Sequence, residues 1–499
     1  MTIRTPRARR RRAAPPAPGT LAAADAAVAI IAAIANRAAL ASLTALVTLI
    51  ALAVPPPARA QADPDCAAPD AGAAALDDSA AVALADTAAN PFRRIMDLYQ
   101  VGLTARQAHD CLRYQRAMER ALAVAPGHPI LMNHLARALA RQGQYDLAEA
   151  WLDSVAATGA VVDLEADADF AGLRASEAFR AVVARMAANR QPQGEAQEAF
   201  ALEIPDLLPE GIARDPESGA LYLGSIRLRK ILRLGPDGSV ADFVREGQDG
   251  LCSVVGMTVD PLRRALWACS AADPGMAGAT PADTSRTGVF GWSLDDGELV
   301  GAFLLPDSTV RRQLNDLAIG PLGRIYASDS QQGSVWRLDP DRGTWEVLLA
   351  DGEVPGANGI AFSADGRRLY VSAYGLGVAI IDLDGEQAVT GVRRLACPAT
   401  QPAVFIDGLY CRGNSLFAVQ NWLGMARVTR FWLDATGTEV TGAEVLLSHH
   451  PRFDEPTTAA LADDELFVVA NSELHRYAPD GTLAPADKPP RFVVLRLPY

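Results

Sequence analysis

A short sequence motif, here called the phrase, recurs along the chain, and at one position of it four polar side chains occur that together could hold a metal ion. Six such phrases occur between residues 208 and 470. The residue before the glycine, or before the residue that replaces it, is in order Glu210, Val255, Asn315, Asn358, Asp407 and Thr457. If the repeat brings these positions around one centre, Glu210, Asn315, Asn358 and Asp407 supply two carboxylates and two amide oxygens. Oxygen ligands favour one hard divalent cation, Ca²⁺ first and Mg²⁺ or Mn²⁺ next, whereas Zn²⁺ is expected to recruit His or Cys.

A divalent cation at such a centre has a well-defined chemistry. It can polarise a lactone or ester carbonyl or lower the pKa of a water molecule, and a neighbouring carboxylate can then carry the proton of that water. An ion that only stiffens the fold is the alternative. The Gly-x-Ser-x-Gly motif of a serine nucleophile does not occur in the sequence, which argues against that class of hydrolase.

The spacing of the phrases predicts the fold that positions these residues. The intervals between them are 45, 60, 43, 49 and 50 residues, and this is the period of a four-stranded propeller blade. Each phrase precedes a turn and a second apolar strand, as in residues 220–223 and 324–327. We therefore predict an all-β six-bladed β-propeller over residues 200–499, with the first strand of each blade lining the channel. A pair of β-sandwiches would not explain the recurrence of the same turn in register.

Residues 91–187 have helical rather than strand periodicity. Gly143-x-Tyr145 followed by Ala148, after a helix that contains Ala138, resembles a tetratricopeptide repeat. Because only one full repeat and part of another are present, we expect this helical domain to be stabilised by packing against the propeller. It is interpreted either as a docking surface for a protein partner or as a packing and spacer module. Residues 188–199 are predicted to be a polar linker.

The N-terminus resembles a targeting segment. Residues 1–60 contain eight Arg and one acidic residue, and an apolar run over residues 38–54 precedes small residues at Ala58, Ala60 and Ala62. This pattern predicts a signal peptide, cleavage near Ala60 or Ala62 and a periplasmic or secreted protein. An uncleaved membrane anchor is the alternative, and only in that case is the membrane a partner. Residues 61–90 are predicted to be a disordered linker.

The net charge and the cysteine content limit the classes of binding partner and of cellular compartment that suit this protein. The formal net charge is −13, and about −20 remains without residues 1–60, which argues against a nucleic-acid partner. Six cysteines suit an oxidising compartment. Cys252 and Cys269 flank a predicted hairpin and are the first candidates for a disulfide.

The four phrases that carry the polar quartet resemble those of the SMP-30/gluconolactonase, or regucalcin, family. These are Glu210-Gly211, Asn315-Asp316, Asn358-Gly359 and Asp407-Gly408, in this order and at one-blade spacing. The resemblance covers about residues 200–499 and implies a propeller lactonase with one catalytic divalent metal. It implies Glu210, Asn358 and Asp407 as metal ligands, Asn315 as a ligand or substrate contact, and Asp407 also as the general base.

The substrate-binding residues depart from the family pattern. The family often has an Arg two residues before the Asn of the third blade, where this chain has Gln313, so Arg311 or Arg312 is the candidate replacement. Trp422 and Tyr374 are predicted to supply apolar walls of the substrate site.

His449 and His450 precede the last blade. They are interpreted either as a second base or as solvated loop histidines.

The sequence thus predicts a metal-dependent hydrolase that acts on a small-molecule lactone or ester. The alternative is a non-catalytic scaffold in which the propeller and the helical repeat bind a ligand or protein in the cell envelope.

Overall fold

The computed structural model describes Cys66 and residues 90–499 except 274, 281–282, 284–285, 307–309, 477–481 and 486–490. In this part of the chain, helices precede six four-stranded antiparallel sheets. The predicted six-bladed β-propeller with an N-terminal helical region is therefore confirmed. The predicted signal peptide lies outside the described residues, as does the linker apart from Cys66 and Asn90. Within the described residues, no helix has both the length and the apolarity to cross a membrane.

The helical region consists of consecutive helices that pack against one another. They are α1 (Pro91–Gln107), α2 (Cys111–Val124), α3 (Pro129–Arg141), α4 (Tyr145–Ala157), a 3₁₀ helix (Ala168–Leu173) and α5 (Glu177–Asn189). Their starts follow from the sequence, because side-chain caps satisfy the first free N–H groups of a helix. Asn90 accepts hydrogen bonds from the amides of Phe92 and Arg93, and Asp110 accepts one from that of Arg113.

The strands form the blades in chain order. The strand β1 (Gln197–Leu202) precedes blade one, which contains β2 (Pro209–Arg214), β3 (Leu221–Ser225), β4 (Lys230–Leu234) and β5 (Val240–Val244). Blades two and three contain β6 (Ser253–Asp260), β7 (Ala265–Ala271), β8 (Thr287–Ser293), β9 (Leu299–Leu304), β10 (Leu314–Ile319), β11 (Ile325–Asp329), β12 (Ser334–Asp339) and β13 (Thr344–Leu349). Blades four and five contain β14 (Ala357–Phe362), β15 (Arg368–Ala373), β16 (Gly377–Leu383), β17 (Val389–Arg394), β18 (Ile406–Arg412), β19 (Ser415–Gln420), β20 (Arg427–Leu433) and β21 (Val440–Ser448).

The sixth blade closes the ring with strands from both ends of the propeller. It contains β22 (Ala459–Leu461), β23 (Glu465–Val469) and β24 (Phe492–Pro498), and β1 pairs with β24 as its fourth strand. The pairing of Ala201 with Val493 joins the two ends. Because its fourth strand comes from the start of the propeller, the last blade holds the ring closed.

A β-bulge lies at the opening residue of each of the first five blades. Pro209 pairs with Ser225 but Ile212 pairs with Leu223, so Glu210 and the residue after it lie in the irregularity. The same shift occurs around Val255, Asn315, Asn358 and Asp407. A bulge breaks the alternation of side chains and redirects the extra residue, and here it does so at the position of the polar quartet.

The glycine of the phrase allows neighbouring first strands to approach closely. A Cβ on Gly211 would lie 1.8 Å from the carbonyl oxygen of Val255, and one on Gly359 would lie 2.4 Å from that of Asp407. No side chain fits at such distances, so glycine here reflects backbone packing between blades.

The helical region packs on the propeller face at which the first strands begin, which we call the site face. The His128 ring lies 2.5 Å from the carbonyl oxygen of Gly375, and Val161 donates its N–H to that of Leu423 at 2.9 Å. One apolar core is continuous from the helices to Phe405 and its neighbours. This arrangement places the helices on the same face as the polar quartet, above blades four and five.

The predicted disulfide between Cys252 and Cys269 is wrong. The hairpin of β6 and β7 forms, but Ser253 pairs with Ala271 and Val254 with Ser270, so the two cysteines are not opposite each other. Both thiols are free and buried. A disulfide instead joins Cys66 to Cys111 at the start of α2.

Candidate functional site

Glu210 opens β2 in the centre of the propeller and lacks polar partners. Its side chain is buried, and neither carboxylate oxygen has a hydrogen-bond partner. The backbone carbonyl of Glu210 accepts hydrogen bonds from the hydroxyls of Thr457 and Thr458, which fix the strand position across the closure of the ring. Burial of a carboxylate without a partner is costly, so Glu210 must gain a proton or a cation.

Asp407 opens the first strand of blade five and is held by two amides. Asn358 donates its Nδ2 to Oδ1 at 2.8 Å, and Asn421 donates its Nδ2 to Oδ2 at 2.7 Å. Asp407 is completely buried. The two hydrogen bonds fix the carboxylate plane, so its orientation is set before any ligand arrives.

Electrostatics link the two carboxylates. Burial raises the pKa of Asp407 to about 7, against the lowering effect of the hydrogen bonds from Asn421 and Asn358. Burial also raises the pKa of Glu210 well above its ordinary value, and the charges of Asp407 and Asp316 raise it further. Such shifts in neighbouring buried acids are typical of functional sites.

Asp316 replaces the glycine in the phrase of blade three. Its carboxylate accepts hydrogen bonds from the amides of Leu317 at 2.8 Å and Ile360 at 3.3 Å. Burial raises the pKa of Asp316 to about 7. The side chain therefore links blades three and four and adds a third acid to the centre, a role that the sequence analysis missed.

Asn315 and Asn358 complete the quartet, and both are buried. The Nδ2 of Asn315 has no hydrogen-bond partner, so this side chain is available to a ligand. Asn358 is oriented by its hydrogen bond to Asp407. The roles of the four residues as ligands remain predictions.

The quartet fits a hard cation by its donor chemistry. No three His, Cys, Asp or Glu side chains in the described part of the chain are grouped so as to hold a metal ion. A cation here would therefore need the amide oxygens of Asn315 and Asn358 as well as the carboxylates of Glu210 and Asp407. The two unpartnered oxygens of Glu210 are what a cation would satisfy, and an all-oxygen set matches Ca²⁺ or Mg²⁺.

Aromatic residues flank Asp407 on the site face. Tyr374 donates its hydroxyl to Oδ1 of Asn421 at 2.5 Å and stacks on Trp422 with ring centroids 6.3 Å apart. Phe405 contacts the edge of Trp422 at 5.1 Å and the ring of His128 at 6.2 Å. Through these contacts the helical region supports the wall beside Asp407.

The role of Asn421 was also not predicted from the sequence. It follows β19 directly, at the end of a second strand rather than at the start of a first strand. A polar residue directly after the second strand of a blade is the sequence signal by which Asn421 could have been identified.

Arg312 is committed to an ion-pair network. Its guanidinium lies 2.9 Å from Asp329 and 2.8 Å from Asp351, and it stacks on Trp336 at 5.0 Å. Burial lowers the pKa of Arg311, and the charge of Asp273 opposes this shift. To contact a substrate, Arg312 would have to exchange these partners, and its role in substrate binding stays a prediction.

The two histidines before the last blade have different surroundings. His449 lines a cavity next to the helical region, and the ring of His450 lies 6.0 Å from that of Phe453. Burial lowers the pKa of each imidazole. Within the described residues, no hydrogen bond joins either histidine to the quartet, and their role as a second base is a prediction.

Comparison with family models finds a match within the propeller. Residues 208–441 match the family model described as SMP-30/Gluconolactonase/LRE-like region. No curated protein sequence matches the chain significantly.

Several solved structures are similar. A gluconolactonase from Xanthomonas campestris is 20% identical, with 58% of this chain and 86% of that chain covered and a TM-score of 0.40. Regucalcin, a calcium-binding protein from Agrobacterium tumefaciens, is 18% identical, with 60% and 93% covered and a TM-score of 0.42. A PQQ-bound aldose sugar dehydrogenase from Streptomyces coelicolor is 14% identical, with 62% and 99% covered and a TM-score of 0.42.

Proposed function

We propose that the protein is a metal-dependent lactone or ester hydrolase, because residues 208–441 match the SMP-30/Gluconolactonase/LRE-like family model, as the resemblance of the four phrases predicted. The substrate is a small molecule that enters from the site face. The family match supports a hydrolase of the lactonase type. The residues of the quartet support the dependence on a metal.

One observation carries this proposal. The buried Glu210 carboxylate has no hydrogen-bond partner, and burial, with the nearby charge of Asp407 in addition, raises its pKa well above the ordinary value. Two unneutralised acids in a buried centre destabilise the fold. They are explained if a cation is held there by Glu210, Asn358 and Asp407, with Asn315 as a fourth ligand or as a contact for the substrate. A bound divalent cation, Ca²⁺ in the first place, would supply polarisation of the carbonyl and a lower pKa for water.

The residues of the chain then have distinct tasks. Ionised Asp407 accepts a proton from the water that attacks the carbonyl carbon. The ring C–O bond breaks, and Asp407 returns the proton to the departing alkoxide oxygen, which leaves a hydroxy acid. Asp407 suits this task because Asn358 and Asn421 hold its carboxylate in a fixed orientation, and a bound cation would keep the carboxylate ionised and ready to accept a proton. The aromatic wall of Tyr374 and Trp422 would exclude water from one side of the substrate.

A substrate panel with purified protein tests the proposal. Wild type with Ca²⁺, Mn²⁺ or Zn²⁺ is expected to hydrolyse at least one aldonolactone or aryl ester, and Asp407→Ala is expected to lose the activity. Asp463→Ala is the matched control, because the Asp463 side chain is 97% exposed in the turn between β22 and β23. Absence of hydrolysis across the panel, or an unchanged rate in Asp407→Ala, would favour the non-catalytic scaffold instead.

A further inference from the structure

A cavity of about 250 Å³ lies between the helical region and blade five, away from the quartet. We call it the junction cavity. Its helical side is formed by the C-terminal ends of α4 and α5, and its propeller side by β20 and β21. It includes none of the four quartet residues, so it is a separate site.

The junction cavity contains a buried cation without a counter-charge. Arg427 is only 7% exposed. Its Nε donates to Oε1 of Gln420 at 2.8 Å and its Nη1 to the carbonyl oxygen of Thr158 at 3.1 Å. Both acceptors are neutral, Nη2 has no hydrogen bond to a described residue, and no described carboxylate forms an ion pair with Arg427.

The guanidinium remains charged in this position. Burial lowers the pKa of Arg427 to about 10, which is still well above neutral pH. A buried cation without an anion is costly, and a planar guanidinium with free N–H groups matches a carboxylate in a two-point contact.

The rest of the lining favours an anion that also carries hydroxyl groups. Among the described residues, no Asp or Glu lines the junction cavity. Arg185 also lines it but is paired with Asp153 at 2.7 Å, so it is Arg427 that favours an anion. The Nδ2 of Asn189 is occupied by the carbonyls of Ala156 and Ala160, and the Nε2 of Gln401 by that of Ala443. The amide oxygens of Asn189 and Gln401 accept no hydrogen bond from a described residue and are available to hydroxyl donors.

We propose that the junction cavity binds a small hydroxylated carboxylate, with the carboxylate on Arg427 and hydroxyl groups on the amide oxygens of Asn189 and Gln401. A volume of about 250 Å³ suits a ligand of sugar-acid size. Such a ligand would contact the helices and the propeller at once. This proposal is independent of the hydrolysis proposed above, because the two sites share no residue.

Calorimetric titration of the full chain with sodium gluconate, after removal of divalent metals, tests the proposal. We expect saturable binding to wild type that is weaker by at least about tenfold in Arg427→Gln, since a buried charge pair is lost. Glucitol, a neutral polyol of the same carbon number, is expected not to bind. Glu210→Gln is expected to bind gluconate like wild type, which separates this site from the quartet.

Two further variants distinguish a loss of ligand binding from a loss of folding. Ala443→Phe fills the junction cavity from β21 without removing a charge and is expected to abolish binding. Arg430→Gln is the matched control, because Arg430 is on β20 but outside the junction cavity, where it donates to Ser415. The proposal is overturned if wild type shows no saturable binding, if glucitol or inorganic phosphate binds as tightly as gluconate, or if Ala443→Phe binds normally.

Discussion

Asn421 donates its Nδ2 to Oδ2 of Asp407 at 2.7 Å, while Asn358 holds the other oxygen of the same carboxylate. Tyr374 in turn donates to Asn421 at 2.5 Å. This chain of hydrogen bonds connects the aromatic wall on the site face to the proposed general base. It gives Asn421 a positioning role that depends on orientation rather than on contact with substrate.

Replacement of Asn421 by Ala is expected to reduce kcat/KM for lactone hydrolysis by about 10–100-fold, the usual effect of losing a group that orients a metal ligand. Asn421→Ala should also weaken metal binding, which isothermal titration can measure. The matched control is Asn414→Ala, in the exposed turn between β18 and β19. Unchanged kcat/KM and metal affinity in Asn421→Ala would exclude the positioning role.

Glu210→Gln is expected to stabilise the metal-free protein. Burial raises the pKa of the unpartnered Glu210 carboxylate well above its ordinary value, so folding of the metal-free protein at neutral pH requires proton uptake. A neutral Gln avoids this cost and should raise the free energy of unfolding by about 1–3 kcal/mol. Chemical denaturation in the presence of a chelator measures this change, with the exposed Glu386→Gln in the turn between β16 and β17 as the control. A loss of stability in metal-free Glu210→Gln would show that the carboxylate already has a partner in the folded protein.

The contact of His128 with the propeller is expected to weaken in acid. Burial lowers the pKa of His128 from 6.5 to about 4, so between these pH values the unfolded chain binds more protons than the folded chain. The contribution of His128 to stability is therefore complete above about pH 6.5 and is lost as the pH falls towards 4.

Urea unfolding of wild type and His128→Gln across this range isolates the effect, because all other titrating groups are common to both. The wild type should lose stability relative to the variant as the pH falls. A difference that is constant between pH 6.5 and 4 would contradict burial of a neutral His128 at the contact.

Peptide mapping under non-reducing conditions should find Cys66 joined to Cys111 and four free thiols. Those thiols are Cys252, Cys269, Cys397 and Cys411. Reduction is expected to destabilise the helical region by about 2–4 kcal/mol, because the disulfide closes a long loop in the unfolded chain. Recovery of a peptide linking Cys252 to Cys269 would contradict the observed strand register.

The sequence predicted the blades because turn and strand patterns are local, and the blade period is visible in the spacing of Glu210, Asn315, Asn358 and Asp407. It did not reveal Asn421, because its role depends on which strand end meets Asp407 in space. The register of β6 and β7 likewise depends on a bulge after Val254, and a bulge leaves no unambiguous local signal. The ion pairs of Arg312 also join residues that are distant in sequence. Asp329 ends the second strand of blade three, and Asp351 lies in the loop after the fourth strand.

Metal titration of lactone hydrolysis in chelator-treated wild type and Glu210→Gln is the most direct test of a catalytic metal at the quartet. We predict that chelation abolishes hydrolysis, that a divalent cation restores it in wild type with saturation, and that Glu210→Gln is not restored at the same concentration. Full hydrolysis by chelator-treated wild type, or normal restoration of Glu210→Gln, would contradict a catalytic metal held by this quartet.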